Sequence, residues 1–149
     1  QSEDKKIFLG GLFSSVNNLS TFSDNIDFIT AHGNEKKNHA FFKKNVAKNI
    51  NKKIIFKCNN QTTKKTRFVQ RSHYTLSKLF EIYEMDDRLI NKNTEKKICK
   101  YLNYNLHKYD VVIVNDYGHG LITKKIINIL SSKSNFLAVN APIRGALKF

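Results

Sequence analysis

Asp110-Val111-Val112-Ile113-Val114-Asn115-Asp116-Tyr117-Gly118-His119-Gly120 runs four β-branched residues directly into a polar turn punctuated by two glycines. A continuous apolar run without alternation predicts a strand in the middle of a sheet covered on both faces, as parallel strands are. Ligands of open α/β sheets gather beyond the carboxyl ends of the strands, so the turn after Val114 is the first candidate site. Gly118 and Gly120 let a backbone approach a ligand closely, Asp116 offers a carboxylate, and His119 can donate or accept near neutral pH. A plainer reading fits the same spacing: Asp116 hydrogen-bonds its own turn and His119 sits in solvent.

Working outward, Thr123 to Leu130 predicts a helix with Ile126, Ile127 and Leu130 facing inward, and Phe136-Leu137-Ala138-Val139 predicts another buried strand. Upstream, Ile98, Tyr101, Leu102 and Asn105 give a helical period from Thr94 to Leu106, with Thr94 as the cap. Lys53 to Cys58, Lys64 to Gln70 and Leu79 to Glu84 read as strands, and alternation in the last two marks an antiparallel stretch. At the start, Ile7-Phe8-Leu9 reads as a strand that turns at Gly10-Gly11 into a helix carrying Val16, Leu19 and Phe22. Asn25 to Thr30 forms a second strand, closed by Ala31-His32-Gly33. Phe41, Phe42, Val46 and Ile50 mark one face of a Lys-rich helix from Lys36 to Asn49. The recurring strand-helix-strand order gives an α/β chain with a partly parallel sheet, and no internal repeat or Pro-rich linker divides it.

The 149 residues suit one domain, and 11 Phe with 6 Tyr are too much apolar material for a disordered coil. No apolar run approaches the roughly 20 residues that span a bilayer, and Gln1 to Lys6 lack the apolar stretch of a secretory signal, so the expectation is a cytoplasmic protein with no membrane partner. Cys58 and Cys99 have 40 residues between them and no Cys/His cluster near them, which supports neither a zinc site nor a disulfide and predicts small buried or half-buried thiols. A formal net charge of +14 invites nucleic acid. Yet the cations are 22 Lys against 4 Arg, spread through every segment, whereas bidentate phosphate and base recognition favours Arg. An anionic small substrate fits the same field.

Two smaller patterns add to the site. Gly10-Gly11 before a helix lets backbone N–H groups meet an anion or simply makes a strand-to-helix turn; no Gly-x-x-x-x-Gly-Lys-Ser/Thr loop occurs. Lys65 and Arg67 alternate on one strand and so share a face, where they hold a phosphate or blunt an exposed edge. Glu81, Glu84, Asp86 and Asp87 form the one acidic cluster, which reads as a metal site or as a solvated patch. No Ser/His/Asp order is decidable from sequence, because a triad is defined by geometry.

Taken in order, these pieces resemble the ribokinase-like (PfkB-type) carbohydrate kinases, and among them the heptose-7-phosphate kinase domain of ADP-heptose synthesis. Gly10-Gly11 with Val16-Asn17-Asn18-Leu19 resembles the family's Gly-Gly-x-x-x-Asn-Val-Ala-x-Asn opening. Thr62-Thr63-Lys64-Lys65-Thr66-Arg67 is similar to its Pro-Thr-x-x-Lys-x-Arg strand, Val111 to Gly120 to its Ser-Asp-Tyr-Gly-Lys-Gly segment, and Phe136 to Pro142 to the strand ending in Asp-Pro-Lys. The resemblance implies a three-layer sandwich with a partly parallel central sheet and a small antiparallel lid-like stretch, incomplete here. It implies that Gly10, Gly11 and Asn18 line a sugar pocket, that Lys65 and Arg67 lie near a sugar phosphate, and that Asp116 and Gly118 sit beside the reacting groups.

The chain departs from the pattern at Ser14 for Asn, Asn115 for Ser, His119 for Lys and Asn140 for Asp. The family's Gly-Ala-Gly-Asp segment, which holds the general base, lies further along than Phe149 reaches. Residues 1–149 are therefore expected to be the N-terminal and middle part of one kinase domain, inactive alone, whose parent uses ATP and Mg2+. A homodimer and a fused or partner nucleotidyltransferase domain are the implied protein partners. Two alternatives from other classes stand beside it: a basic α/β module that binds nucleic acid, and a degenerate kinase fold kept for regulation. The sugar-phosphate reading requires the Gly11 turn and the Asp116 tip to converge around a common cleft shaped for a charged carbohydrate.

Overall fold

The computed structural model describes residues 5–23, 25–33, 35–47, 50, 52–57, 61–72 and 74–141. The elements run α1 (Gly11–Leu19), β1 (Asp27–His32), α2 (Lys36–Asn45), β2 (Lys52–Lys57), β3 (Lys64–Arg71), β4 (Leu76–Glu84), α3 (Lys92–Asn105), a 3-10 turn (Leu106–Lys108), β5 (Val112–Asn115), α4 (Lys124–Lys133) and β6 (Leu137–Asn140). The protein is of mixed α/β class. Among the described residues its strands form three two-stranded sheets: β1–β2 parallel, β3–β4 antiparallel and β5–β6 parallel.

Two apolar clusters meet on β1, because successive strand side chains point to opposite faces. Phe28 joins Phe13 and Val16 of α1 with Val46 and Ile50, and the Phe13 ring stacks on Phe42 of α2 at 4.8 Å and meets Phe28 edge-on at 5.5 Å. On the other face Ile29 and Ala31 pack against a cluster built from Ile98 and Leu102 of α3, Leu106, Val114 of β5, and Ile126 and Leu130 of α4. The helices owe their placement to caps as well as apolar faces. The Asn91 side chain accepts from Thr94 N at 2.8 Å to start α3, and Thr123 accepts from Ile126 N to start α4.

A chain of hydroxyls ties the amino-terminal ends of the two parallel pairs. Tyr109, just before β5, donates to Asp27 Oδ2 at 2.6 Å and shares a 2.9 Å bond with Tyr101 of α3. Burial first, and then the bond to the Asp27 carboxylate, push the Tyr109 phenol above its ordinary range.

Several expectations are corrected. Ile7-Phe8-Leu9 is no strand: residues 5–10 carry no regular structure, and Ile7 and Phe8 are 64% and 79% exposed, with no described strand to pair them. α1 ends at Leu19, which leaves Phe22 in solvent. Asn91, not Thr94, caps α3, so Thr94 lies within the first turn and is buried. α2 stops at Asn45 because Val46 turns extended. The segment after Asp110 is not covered on both faces. Val111 and Ile113 face solvent, Val114 faces the core, and β5 pairs only with β6 among the described residues. Phe136, just before β6, and Val139 within it are likewise exposed. Cys99 is half-buried, its thiol pushed up chiefly by burial, and Cys58 lies outside the described residues. No helix among them is long and apolar enough to cross a membrane.

Tyr109→Phe deletes both hydroxyl bonds at a half-buried junction and removes the phenol that Asp27 accepts from. It is expected to cost about 1–3 kcal/mol in urea unfolding; a loss indistinguishable from zero would show that the junction does not hold the two pairs.

Candidate functional site

The loop after β5 is a tight polar hook. Asp116 is buried, its backbone N–H donates to Asn140 O at 2.8 Å as the β5–β6 ladder ends, and its Oδ1 accepts from Gly118 N at 2.9 Å. The carboxylate does hydrogen-bond its own turn, as the plainer reading held, and is thereby locked in place at the strand tip. Gly118 and Gly120 have φ of +76° and +75°, a region where side chains other than glycine are strained. Gly120 is constrained twice over, since a Cβ there would collide with the Arg88 carbonyl, and its own carbonyl accepts from Ile90 N at 3.0 Å. His119 is not simply solvated: its Nδ1 lies 2.7 Å from Asp87 Oδ1.

The Gly11 turn comes to the same place. Gly11 has a φ of +53°, and a Cβ on it would lie 3.2 Å from the ring of Tyr117, the residue next to Asp116. The turn and the residue that follows Asp116 are therefore neighbours. Gly10 caps α1 in extended conformation with open space where a Cβ would be. Asn18 lies exposed near the end of α1, where its carbonyl accepts from Thr21 N and the Thr21 hydroxyl.

Lys65 and Arg67 do share one face of the β3–β4 ribbon. Both are engaged by a carboxylate: Glu81 Oε2 lies 3.3 Å from Lys65 Nζ and 3.2 Å from Arg67 Nε, while Oε1 takes Lys78 Nζ at 2.8 Å. Lys65 also lies 4.4 Å over the Tyr83 ring. Three cations on one carboxylate leave this face net positive. Lys78 foremost, then Arg67 and Lys65, hold the Glu81 carboxyl well below the usual carboxylate range, at about 2. Bonding to Tyr83 first, and then to Glu81, raises Lys65. The opposite face carries Phe68 and Phe80, stacked at 4.3 Å, with the Lys64–Glu84 pair at its end. These partners of Lys65 and Arg67 all lie on the ribbon itself, and none of them is Asp116.

What brings the ribbon to the site is its stem. At its entrance Thr62 Oγ1 accepts from Gly33 N at 2.9 Å and donates to Glu35 Oε2 at 2.6 Å, beside the carboxyl end of β1. At its exit Asp87 meets His119, and Ile90 meets Gly120, beside the carboxyl end of β5.

The acidic cluster is dispersed among cations. Glu81 and Glu84 pair with lysines, Asp86 is held at about 2 chiefly by Arg88, and Asp87 pairs with His119. Among the described residues no three His, Cys, Asp or Glu gather into a cluster that could hold a metal ion. Sequence reasoning missed Tyr117, Glu35 and Thr62. Tyr117 was legible only as part of the hook, and the Glu35–Thr62 contact spans 27 residues with no local pattern to announce it.

Two outcomes follow from this geometry. Gly120→Ala is expected to destabilise the fold by about 2 kcal/mol or more, whereas Gly11→Ala, facing a ring that can shift, should cost nearer about 1 kcal/mol; equal costs in denaturant titration would refute the close approach at Arg88. The depressed Glu81 carboxyl makes its pairing stabilising above the ordinary carboxylate range and lost as pH falls toward 2. Carboxyl NMR should place the Glu81 midpoint near 2, and a midpoint near the ordinary 4.5 would mean the three cations do not engage it.

No family model matches the chain, and no solved structure does. Two curated proteins do. The bifunctional protein HldE of Aliarcobacter butzleri is 33% identical over 133 residues, which cover 85% of this chain and 27% of that protein. The bifunctional protein HldE of a Nitratiruptor species is 24% identical over 133 residues, covering 89% of this chain and 28% of its own length. The chain thus spans about a quarter of the length of these curated relatives. Over most of its residues it is a distant relative of the bifunctional HldE proteins, which bears out the heptose-kinase-like resemblance carried by its ordered motifs.

Proposed function

We propose that the chain is the sugar-binding part of a carbohydrate kinase domain of ADP-heptose synthesis, whose parent transfers the γ-phosphoryl of ATP to a hydroxyl of a heptose 7-phosphate. The meeting of Gly11 with Tyr117, beside the locked Asp116 carboxylate, carries this reading. Kinship with the HldE proteins supports it. In this reading Gly10, Gly11 and Asn18 line the sugar pocket, Asp116 accepts a sugar hydroxyl beside Gly118, and Lys65 and Arg67 attract the phosphate carried by the sugar. The two parallel pairs are then neighbouring parts of one ribokinase-like central sheet, with β3–β4 as its lid-like ribbon.

The chemistry that this chain's residues perform is binding and orientation. Asp116, fixed by Gly118 N–H, presents an acceptor that needs no reorganisation, and the net positive ribbon face neutralises the dianion. Phosphoryl transfer depends on positioning and charge stabilisation of the moving group. The nucleotidyltransferase partner and the homodimer belong to the same proposal.

Calorimetric titration with heptose 7-phosphate, the unphosphorylated heptose and a random oligonucleotide tests it. Selective binding of the sugar phosphate is expected, weakened about tenfold by Asp116→Asn, with no ATP-dependent product from the chain alone. Tight oligonucleotide binding that falls steeply with salt, without preference for the sugar phosphate, would instead establish the nucleic-acid module.

A further inference from the structure

β3 and β4 pack chiefly on each other, so the direction in which the ribbon projects is set at its stem. At the exit the backbone bond from Ile90 N to Gly120 O, 3.0 Å, and the close seating of Gly120 under the Arg88 carbonyl form a fixed pivot. Nearer the ribbon, Asp87 reaches back to His119 across a separation of 32 residues. The entrance is tied separately through Thr62 to Gly33 and Glu35, and on the exit segment a second attachment fixes an orientation that the pivot alone leaves free to rotate. We propose that His119 and Asp87 are a positioning pair that holds the β3–β4 ribbon at a set angle over the Asp116 loop.

The pair is suited to this. The imidazole is one-third exposed and the carboxylate over half exposed, so the contact can open without unsealing either apolar cluster. The neighbouring Asp86 is already committed to Arg88 through bonds of 2.9 and 2.6 Å, which leaves Asp87 as the acid that faces the loop. His119 itself sits between two glycines of positive φ, whose backbone geometry is rigidly prescribed by the Asp116 hook and the Arg88 contact. Its side chain therefore departs from a fixed platform. That the held ribbon serves a sugar-phosphate site rests on the function proposed above; the mechanical role does not.

Hydrogen exchange of the full chain, read by mass spectrometry on peptides covering 84–91 and 116–121, separates the two. His119→Ala and Asp87→Asn are each expected to raise exchange there about two- to fivefold, the range for an exposed polar pair, with α1 and β1 peptides and the melting temperature unchanged. The exchanged pair, Asp87→His with His119→Asp, should restore protection. Unchanged exchange in both single variants, a uniform rise across the chain, or failure of the exchanged pair to restore protection would overturn the proposal. Titration of the same proteins with heptose 7-phosphate then reports on the site. Absence of binding in every protein, with the local exchange effect intact, removes the sugar-phosphate reading and leaves the positioning pair standing.

Discussion

A parallel strand pair cannot be closed by a tight turn; the chain must cross back, usually through a helix, before the second strand begins. β1–β2 and β5–β6 both obey this, the first through α2 and the second through α4. Each crossover needs an apolar face to lie on, and β1 supplies two, with Phe28 turned toward α1 and α2 and Ile29 and Ala31 toward the α3–α4 cluster. The Tyr101–Tyr109–Asp27 chain of hydroxyls joins the starts of β1 and β5. Fixing the starts gathers the ends, and at those ends lie Gly33 and the hook from Asp116 to Gly120.

The antiparallel ribbon grows from this gathering point. An isolated two-stranded hairpin is marginal in water, and this one is held by cross-strand interactions: the Phe68–Phe80 stack on one face, and on the other a single carboxylate shared among Lys65, Arg67 and Lys78. Its stem is fastened by Glu35 and Thr62 at one root and by the Asp87, Ile90 and Gly120 contacts at the other. The arrangement puts charged structure beside the strand tips.

The legible parts of the sequence were those governed by local rules. Apolar periodicity located the four described α-helices, the apolar run ahead of two glycines located the polar hook, and alternation located β3 and β4 with Lys65 and Arg67 on one face. Failures came where a partner decides. Ile7-Phe8-Leu9 has strand composition but no described strand beside it, and Val111-Val112-Ile113-Val114 has the composition of a central strand while Val111 and Ile113 face solvent. Asn91 and Thr94 are both good capping residues three apart, and composition alone does not choose between them. At the site the identities of Gly11 and Asp116 could be read, but their meeting through Tyr117 joins distant parts of the chain and has no local signature.

The charge of the chain illustrates the same limit at the level of chemistry. A surplus of lysine describes a long-range field and says little about which cations are available to a ligand. On the ribbon, Lys65 and Arg67 already face Glu81, so an incoming phosphate must compete with a carboxylate held in its ionised form by three cations. Such competition favours a dianion over a neutral sugar, because only a charged group can replace what Glu81 supplies. Under the function proposed above, phosphate capture is then an exchange of partners, in which Lys78 stays on Glu81 while Lys65 and Arg67 turn to the ligand.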